Sequence, residues 1–289
     1  MDEITPRTLP STSSGRSEIQ AQDDRVRELA GLFDLHGKVA CVTGGYGGLG
    51  EAIAWGLAQR GARIAVAGRS ADKAAALARS LEDAGHDAIG LAMDAHDVAG
   101  IRASVDAVAK HFGGIDILMN CVGIQREETL LEVTEEAWDD VIAVNLKAAM
   151  FQAQAVAQHQ VRAAEQGRRG GKQVHLLSVR SQLGLRARGY SAYCSSKGGL
   201  AMLIKQHAME LAPHGITVNG IAPTVVRTEM ARHWLENPTT RAQITERIPL
   251  GRVAEPRDVV GAALFLCAPA SDFVTGQVVY VDGGVTASQ

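Results

Sequence analysis

The stretch Val39-Ala-Cys-Val-Thr-Gly-Gly-Tyr-Gly-Gly-Leu-Gly50 restricts this chain more than any other. Val39 to Val42 reads as a buried strand, the next eight residues hold five glycines, and Glu51 to Gln59 reads as a helix. Strand, glycine turn and helix let a backbone approach an anion closely. Glycines remove the side chains that would block it, and the helix N-terminus offers unpaired N–H groups. Two glycine registers fit, Gly45-x-Gly47-x-x-Gly50 and Thr43-Gly44-x-x-x-Gly48-x-Gly50. An ordinary tight turn is the simpler alternative. The strand before and the helix after favour a nucleotide pyrophosphate.

The pattern continues down the chain. Apolar runs at 63–67, 88–93, 115–119, 174–178, 217–221 and 277–281 alternate with helical stretches at 71–84, 98–112, 134–164, 191–211 and 257–267. Short apolar strands separated by helices of ten or more residues predict right-handed βαβ units. The expected fold class is α/β. It is a single doubly wound domain with a mostly parallel seven-stranded sheet, helices on both faces and a site at the C-terminal strand ends. Residues 1–30, rich in Ser, Thr, Pro and charge at their start, are expected to form a flexible N-terminal extension ahead of a 31–289 domain.

What binds must suit the rest of the chain. The formal charge is −3, which excludes a general polyanion-binding field. No apolar run reaches the ~18 residues a membrane helix needs, so neither nucleic acid nor membrane is an expected partner. Cys41, Cys121, Cys194 and Cys267 lack metal-ligand spacing and read as reduced thiols of a cytoplasmic protein. The second strand ends Ala67-Gly68-Arg69-Ser70, without the acid that would bind a ribose 2′-OH. Arg69 suits a 2′-phosphate instead, so NADP(H) is the expected cofactor, with NAD(H) possible. Asp94 and Asn120 end the third and fourth strands, where they either line the adenine and ribose path or cap a turn. Tyr193 and Lys197 are four apart on a predicted helix and share a face. An ammonium beside a phenol favours phenolate and equips the pair to move a proton at a carbonyl or alcohol oxygen.

Taken together, these motifs resemble the short-chain dehydrogenase/reductase family over Phe33 to Ala287, with its Rossmann fold. Thr43 to Gly50 resembles the family's TGxxxGxG turn, and Asp94 its adenine-pocket acid. Asn120-Cys-Val-Gly123 resembles the N-N-A-G segment, with Cys121 and Val122 departing from it. Asn145 matches the active-site Asn, and Tyr193 and Lys197 match the Y-x-x-x-K pair. Pro223 to Thr228 resembles the P-G segment, with Thr224 in place of Gly, and Val281-Asp-Gly-Gly284 the last strand end. The family usually places Ser 13 residues before Tyr. Here Ser178 is 15 before and Ser181 is 12 before. Ser178 is preferred because it directly follows Val174 to Leu177, and Ser181 remains the alternative.

The resemblance implies a catalytic set of Asn145, Ser178, Tyr193 and Lys197. Tyr193 would be the acid and base, and Lys197 would lower its pKa. Ser178 would bond the substrate oxygen, and Asn145 would hold a relay water. It assigns Gly44, Tyr46, Gly48, Leu49, Gly50, Arg69, Asp94, Asn120, Gly123, Tyr193, Lys197, Pro223, Val226 and Thr228 to the cofactor. It also implies a homotetramer or homodimer. The implied reaction is NAD(P)-dependent interconversion of a secondary alcohol and a ketone. Arg126, Arg180 and Gln182, with Gln125, Arg186 and Arg188, flank the site and suggest a small sugar acid or polyol. The segments around Gln125, Ser181 and Val225 look most like gluconate 5-dehydrogenases. A 3-oxoacyl carrier-protein reductase shares the motifs and is the alternative; a non-catalytic nucleotide sensor is a further one. Residues near 224–247 would form a lid.

Overall fold

The computed structural model describes residue 26 and residues 29–168, 170–186 and 188–288. The expected flexible extension lies outside them, apart from Val26, Leu29 and Ala30. Seven strands form one sheet: β1 (Val39–Thr43), β2 (Arg63–Gly68), β3 (Ala88–Ala92), β4 (Ile117–Asn120), β5 (Gly171–Leu176), β6 (Ile216–Pro223) and β7 (Val278–Val281). Their order is β3-β2-β1-β4-β5-β6-β7, and every pairing is parallel. The order reverses at β1. There Thr43 pairs with Ala67 on one side and Asn120 on the other, which makes a crevice at the strand ends.

All five β1 residues are buried because both sheet faces are covered. Ala40 and Val42 pack against Ile53 and Leu57 of α1 (Gly48–Ala58), Leu81 of α2 (Ala71–Asp83) and Leu266 of α9 (Pro256–Cys267). Val39 and Cys41 face the other way, toward Val105 and Val108 of α3 (Val98–Phe112) and Val156 of α5 (Ala148–Glu165). Strand side chains alternate faces, so a two-sided core reads as an unbroken apolar run. Each fully buried Val or Leu contributes about 1.5–3 kcal/mol.

Three regions differ from the sequence reading. The single helix expected over 134–164 is α4 (Glu135–Ile142), a π-helical turn (Ala143–Lys147) and α5. The extra residue of the π turn carries Asn145, whose carboxamide bonds both the N–H and the C=O of Ile124, at 2.8 and 2.9 Å. Strand β5 begins three residues earlier than expected. Its polar residues find partners: Gln173 Nε2 donates to Gln160 Oε1 at 3.1 Å, with Gln173 Oε1 left without a partner among the described residues, and Lys172 Nζ reaches the exposed Asp272 at 2.7 Å. The segment after β6 contains two helices that apolar periodicity does not mark, α7 (Arg232–Glu236) and α8 (Pro238–Glu246). Asn237 caps α8 by accepting from Thr240 N at 3.0 Å, with Pro238 in the first turn. The remaining long helix, α6 (Ser191–Leu211), packs on β6.

Candidate active site

The glycine turn is held by backbone crowding. Gly44 sits at φ 66°, and a Cβ there would lie 2.9 Å from the Cys121 carbonyl carbon. A Cβ on Gly50 would lie 2.3 Å from Gly44 O, and one on Gly48 2.9 Å from the Thr228 methyl. Gly47 is looser, its nearest contact being 3.3 Å. A Cβ on Gly45 would lie 2.7 Å from Val42 O, so Gly44, Gly45, Gly48 and Gly50 are all under steric demand, and of the two registers only Gly47 is not. Gly47 caps α1 without a side-chain hydrogen bond, leaving the first-turn amides for an anion.

Around this turn stand the other expected cofactor residues. The Tyr46 ring packs over Gly68, and its hydroxyl accepts from Ser70 N at 2.8 Å. Arg69 is exposed, and its charge helps hold the Asp94 carboxyl below the usual carboxylate range, after the larger effect of Asp94's bonds with His96. Asn120 is 2 % exposed, and its side chain is spent within the sheet. Its Oδ1 accepts from Val122 N at 3.0 Å and Thr43 Oγ1 at 3.3 Å, and Nδ2 meets His175 Nδ1 at 3.2 Å. Asn120 thus braces the crevice with its side chain. Leu49, Pro223, Val226 and Thr228 face a shared cavity of about 610 Å³, between the ends of β5 and β6 and the two helices α7 and α8.

Ser178 and Tyr193 face the same cavity. Ser178 lies two residues past β5, at the start of a 3₁₀ turn; its Oγ accepts from Arg180 N at 3.2 Å and stands close enough to the Tyr193 phenol to lower its pKa. Ser181 Oγ donates instead to Ser178 O at 2.8 Å and lies 3.3 Å from Tyr280 Oη of β7. The two hydroxyls therefore have different surroundings, and only Ser178 is with the phenol. Lys197 is 3 % exposed, and its Nζ donates to Leu176 O at 2.8 Å. A Cβ on Gly123 would meet that Nζ at 3.4 Å and Asn145 Oδ1 at 3.5 Å, so these three positions converge. Asn145 Nδ2 also donates to Ser196 Oγ at 3.1 Å.

Burial dominates the electrostatics of the phenol and the ammonium. Burial pushes the Tyr193 phenol above its ordinary value, opposed by the nearby Ser178 hydroxyl and by the positive charge of Arg180. Lys197 stands beside the ring with no hydrogen bond to the phenol oxygen among the described residues. Its ammonium lies 5.7 Å from the centroid of the Tyr193 ring and is bonded to a backbone carbonyl. Burial also pushes Lys197 down to about 8, which still leaves it mostly charged at neutral pH.

The substrate-side expectations divide. Arg180, Arg186, Arg188 and Gln125 line the cavity; Arg126 and Gln182 do not. Arg126 is turned to Asp140, with Nε and Nη2 at 3.2 and 2.8 Å from the same carboxylate oxygen. Gln182 is exposed in the loop. Arg188 is paired with Glu127 at 2.5 Å, and Glu127 also accepts from Tyr190 Oη at 3.2 Å. The sequence reading missed Arg247 and Tyr190, which line the cavity. Neither carries a motif, and Arg247 lies on α8's C-terminal cap, far along the chain from Tyr193. An arginine in the segment already expected to cover the site was the one available signal.

A reversing parallel sheet, an anion-ready glycine turn at the reversal and a phenol–ammonium pair beside it make the arrangement of a short-chain dehydrogenase/reductase. The chain belongs to this NAD(P)-dependent oxidoreductase family: the family model described as Enoyl-(Acyl carrier protein) reductase matches residues 44–286. It is 38% identical over 254 residues to 5-keto-D-gluconate 5-reductase of Escherichia coli strain K12, covering 88% of this chain and 97% of the relative. It is 33% identical over 253 residues to the 3-oxoacyl-[acyl-carrier-protein] reductase of Vibrio harveyi, covering 88% and 99%. The crystal structure of a gluconate 5-dehydrogenase from Burkholderia cenocepacia J2315, in complex with NADP and tartrate, superposes with a TM-score of 0.85. It is 36% identical, covering 90% of this chain and 99% of that one.

Proposed function

We propose that this protein is an NADP(H)-preferring dehydrogenase that interconverts a secondary alcohol and a ketone on a sugar acid, of the gluconate/5-ketogluconate type. One observation carries this reading: the Ser178–Tyr193 hydroxyl pair opens into a cavity walled by four arginines, Arg180, Arg186, Arg188 and Arg247, against one carboxylate, Glu246. The names of the gluconate-type relatives agree with it. The residues fit the cofactor: the α1 amides lack a side-chain cap, and Arg69 stands exposed where a 2′-phosphate would lie.

The bound nicotinamide supplies or accepts the hydride. Ser178 Oγ holds the substrate oxygen beside the Tyr193 phenol. Tyr193 donates its proton to that oxygen in reduction and takes it back in oxidation. Lys197, anchored by Leu176 O, presents its remaining N–H groups to the cofactor side, and Asn145 extends the polar path away from it. Placing hydride and proton donors on one carbonyl is chiefly a positioning effect. Two lesser parts of the reading are a homotetrameric or homodimeric assembly and a cytoplasmic location; the four cysteines are free thiols. No helix among the described residues is long and apolar enough to cross a membrane.

Steady-state turnover across sugar acids, polyols and 3-oxoacyl thioesters, each with NADP(H) and NAD(H), tests this function. A preference for gluconate or 5-ketogluconate with NADP(H) is expected. Activity confined to oxoacyl thioesters overturns it.

A further inference from the structure

Arg180 is half-buried, and its Nη1 is fixed by Gly184 O at 2.6 Å and Leu183 O at 3.2 Å. A guanidinium carries five N–H donors. Those two bonds use Nη1, so the Nε/Nη2 edge has no protein acceptor among the described residues, and Arg180 makes no ion pair among them. That edge is the planar fork that takes a carboxylate through two parallel hydrogen bonds. The same cavity is lined by Arg247 at the C-terminal end of α8, which is likewise without an ion pair among the described residues. It is held in place by its neighbours: Arg247 N donates to Ile244 O at 3.2 Å, and Ile248 is 4 % exposed. The two arginines are near enough that Arg247 disfavours the charge on Arg180. Like charges converge across an open cavity, while Arg126 and Arg188 nearby are already neutralised by Asp140 and Glu127. Glu246 is the cavity's one carboxylate, and it makes no ion pair among the described residues.

We propose that Arg180 and Arg247 form a two-sided clamp for the carboxylate of the substrate, with Arg180 supplying the bidentate edge and Arg247 closing over it from α8. The clamp rests on the sugar-acid reading above and deepens it. It places the acid end of the substrate between the 3₁₀ turn and α8, leaving the reacting hydroxyl to Ser178 and Tyr193. A carboxylate there would relieve the repulsion between the two cations, so acid substrates should be selected over neutral ones of the same length. Arg180 also lies close enough to Tyr193 to act on its phenol. Bare rates of an Arg180 variant would therefore mix two effects, and the ratio of acid to neutral substrate separates them.

The test uses D-gluconate and its uncharged analogue D-gluconamide, with the intact protein and NADP(H). In the native protein kcat/KM should favour the acid by about 100-fold, as a site built around charged hydrogen bonds rejects an analogue lacking the charge. R180Q should cut that ratio by about 30-fold, mainly through KM, and R180K should restore part of it. R247Q should cut it by about 5-fold; since Arg247's side chain makes no hydrogen bond with the described residues, this variant does not depend on the Arg180 loop keeping its shape. R126Q should leave the ratio within about 2-fold, its guanidinium being spent on Asp140. Calorimetric titration of the NADPH-loaded protein with the same two compounds reads the clamp without turnover. Equal affinity for acid and amide, or a ratio unmoved in both R180Q and R247Q, overturns the clamp. Acid-selective binding that R180Q abolishes, in a protein that turns over only oxoacyl thioesters, keeps the clamp and overturns the sugar-acid reaction.

Discussion

The two halves of the crevice are built on opposite principles. On the cofactor side, around β1, β2 and β4, polar groups are spent on one another and the backbone is packed to contact. Asn120 uses its carboxamide on Thr43, Val122 and His175. Tyr46 is tied to Ser70, and a Cβ on Gly50 would lie 2.3 Å from a carbonyl oxygen. On the substrate side, around the turn after β5 and α7–α8, the loop is open at Gly184, where a Cβ would meet nothing within 4 Å, and closes against Glu128 only at Gly189; Arg180 keeps an unspent edge. A cofactor of fixed shape is met by a rigid cradle. A charged substrate is met by donors left unpaired, which is costly to keep unless something binds them.

Substitutions can break or sharpen this contrast. The largest effect is expected where the halves meet. Tyr193→Phe should lower turnover by about 10³-fold or more while NADPH fluorescence titration still shows binding; near-native rates would remove the phenol from the chemistry. Next comes the steric contrast itself. Gly50→Ala should destabilise the fold by about 3 kcal/mol in urea unfolding, because the conflict is with backbone. Gly184→Ala should be neutral or stabilise by about 0.5 kcal/mol. Equal losses from the two would deny that the halves differ in tightness.

Between the two candidate serines, Ser178→Ala should reduce kcat by about 10²-fold and Ser181→Ala by less than about 3-fold. The reverse order would move the substrate oxygen toward Tyr280. Arg69→Ala should weaken NADP(H) binding by about 10-fold and NAD(H) binding hardly at all. An equal loss would take Arg69 off the 2′-phosphate.

The smallest effect concerns His96, which bridges the halves: Nδ1 lies 3.2 Å from Asp94 and Nε2 2.9 Å from Asp140, the partner of Arg126. The bond to Asp140 chiefly, then that to Asp94, raises the His96 pKa above 6.5. A raised folded pKa means that the stabilisation is complete below the unfolded value and is lost as pH rises through the folded one. His96→Gln should therefore lower Tm by about 2 °C near pH 5.5 and by less at pH 9. A gap that widens with pH would contradict the bridge.

Much of the cofactor half was legible because its constraints are local. Five glycines between Val42 and Glu51, and Tyr193 four residues before Lys197, act through chain neighbours and helix periodicity. The boundaries of α3 and α6 followed in the same way. What escaped the reading depended on distant partners. Asn145's π turn is tied to the Ile124 backbone, and β5 begins at Gly171 with its polar side chains reaching Gln160 and Asp272. Among the arginines, residue type alone grouped Arg126 with Arg180. Only the placement of Asp140 showed one to be neutralised and the other to keep a free edge.

By itself the sequence determined the parallel sheet, the glycine turn and the phenol–ammonium pair, since hydrophobic period and glycine sterics operate within a few residues. The tertiary structure alone decided what surrounds each serine hydroxyl, which carbonyl anchors the Lys197 ammonium, and which arginines face the cavity. Those outcomes turn on hydrogen bonds and charges between segments far apart in the chain, where a few ångströms separate a spent side chain from a free one.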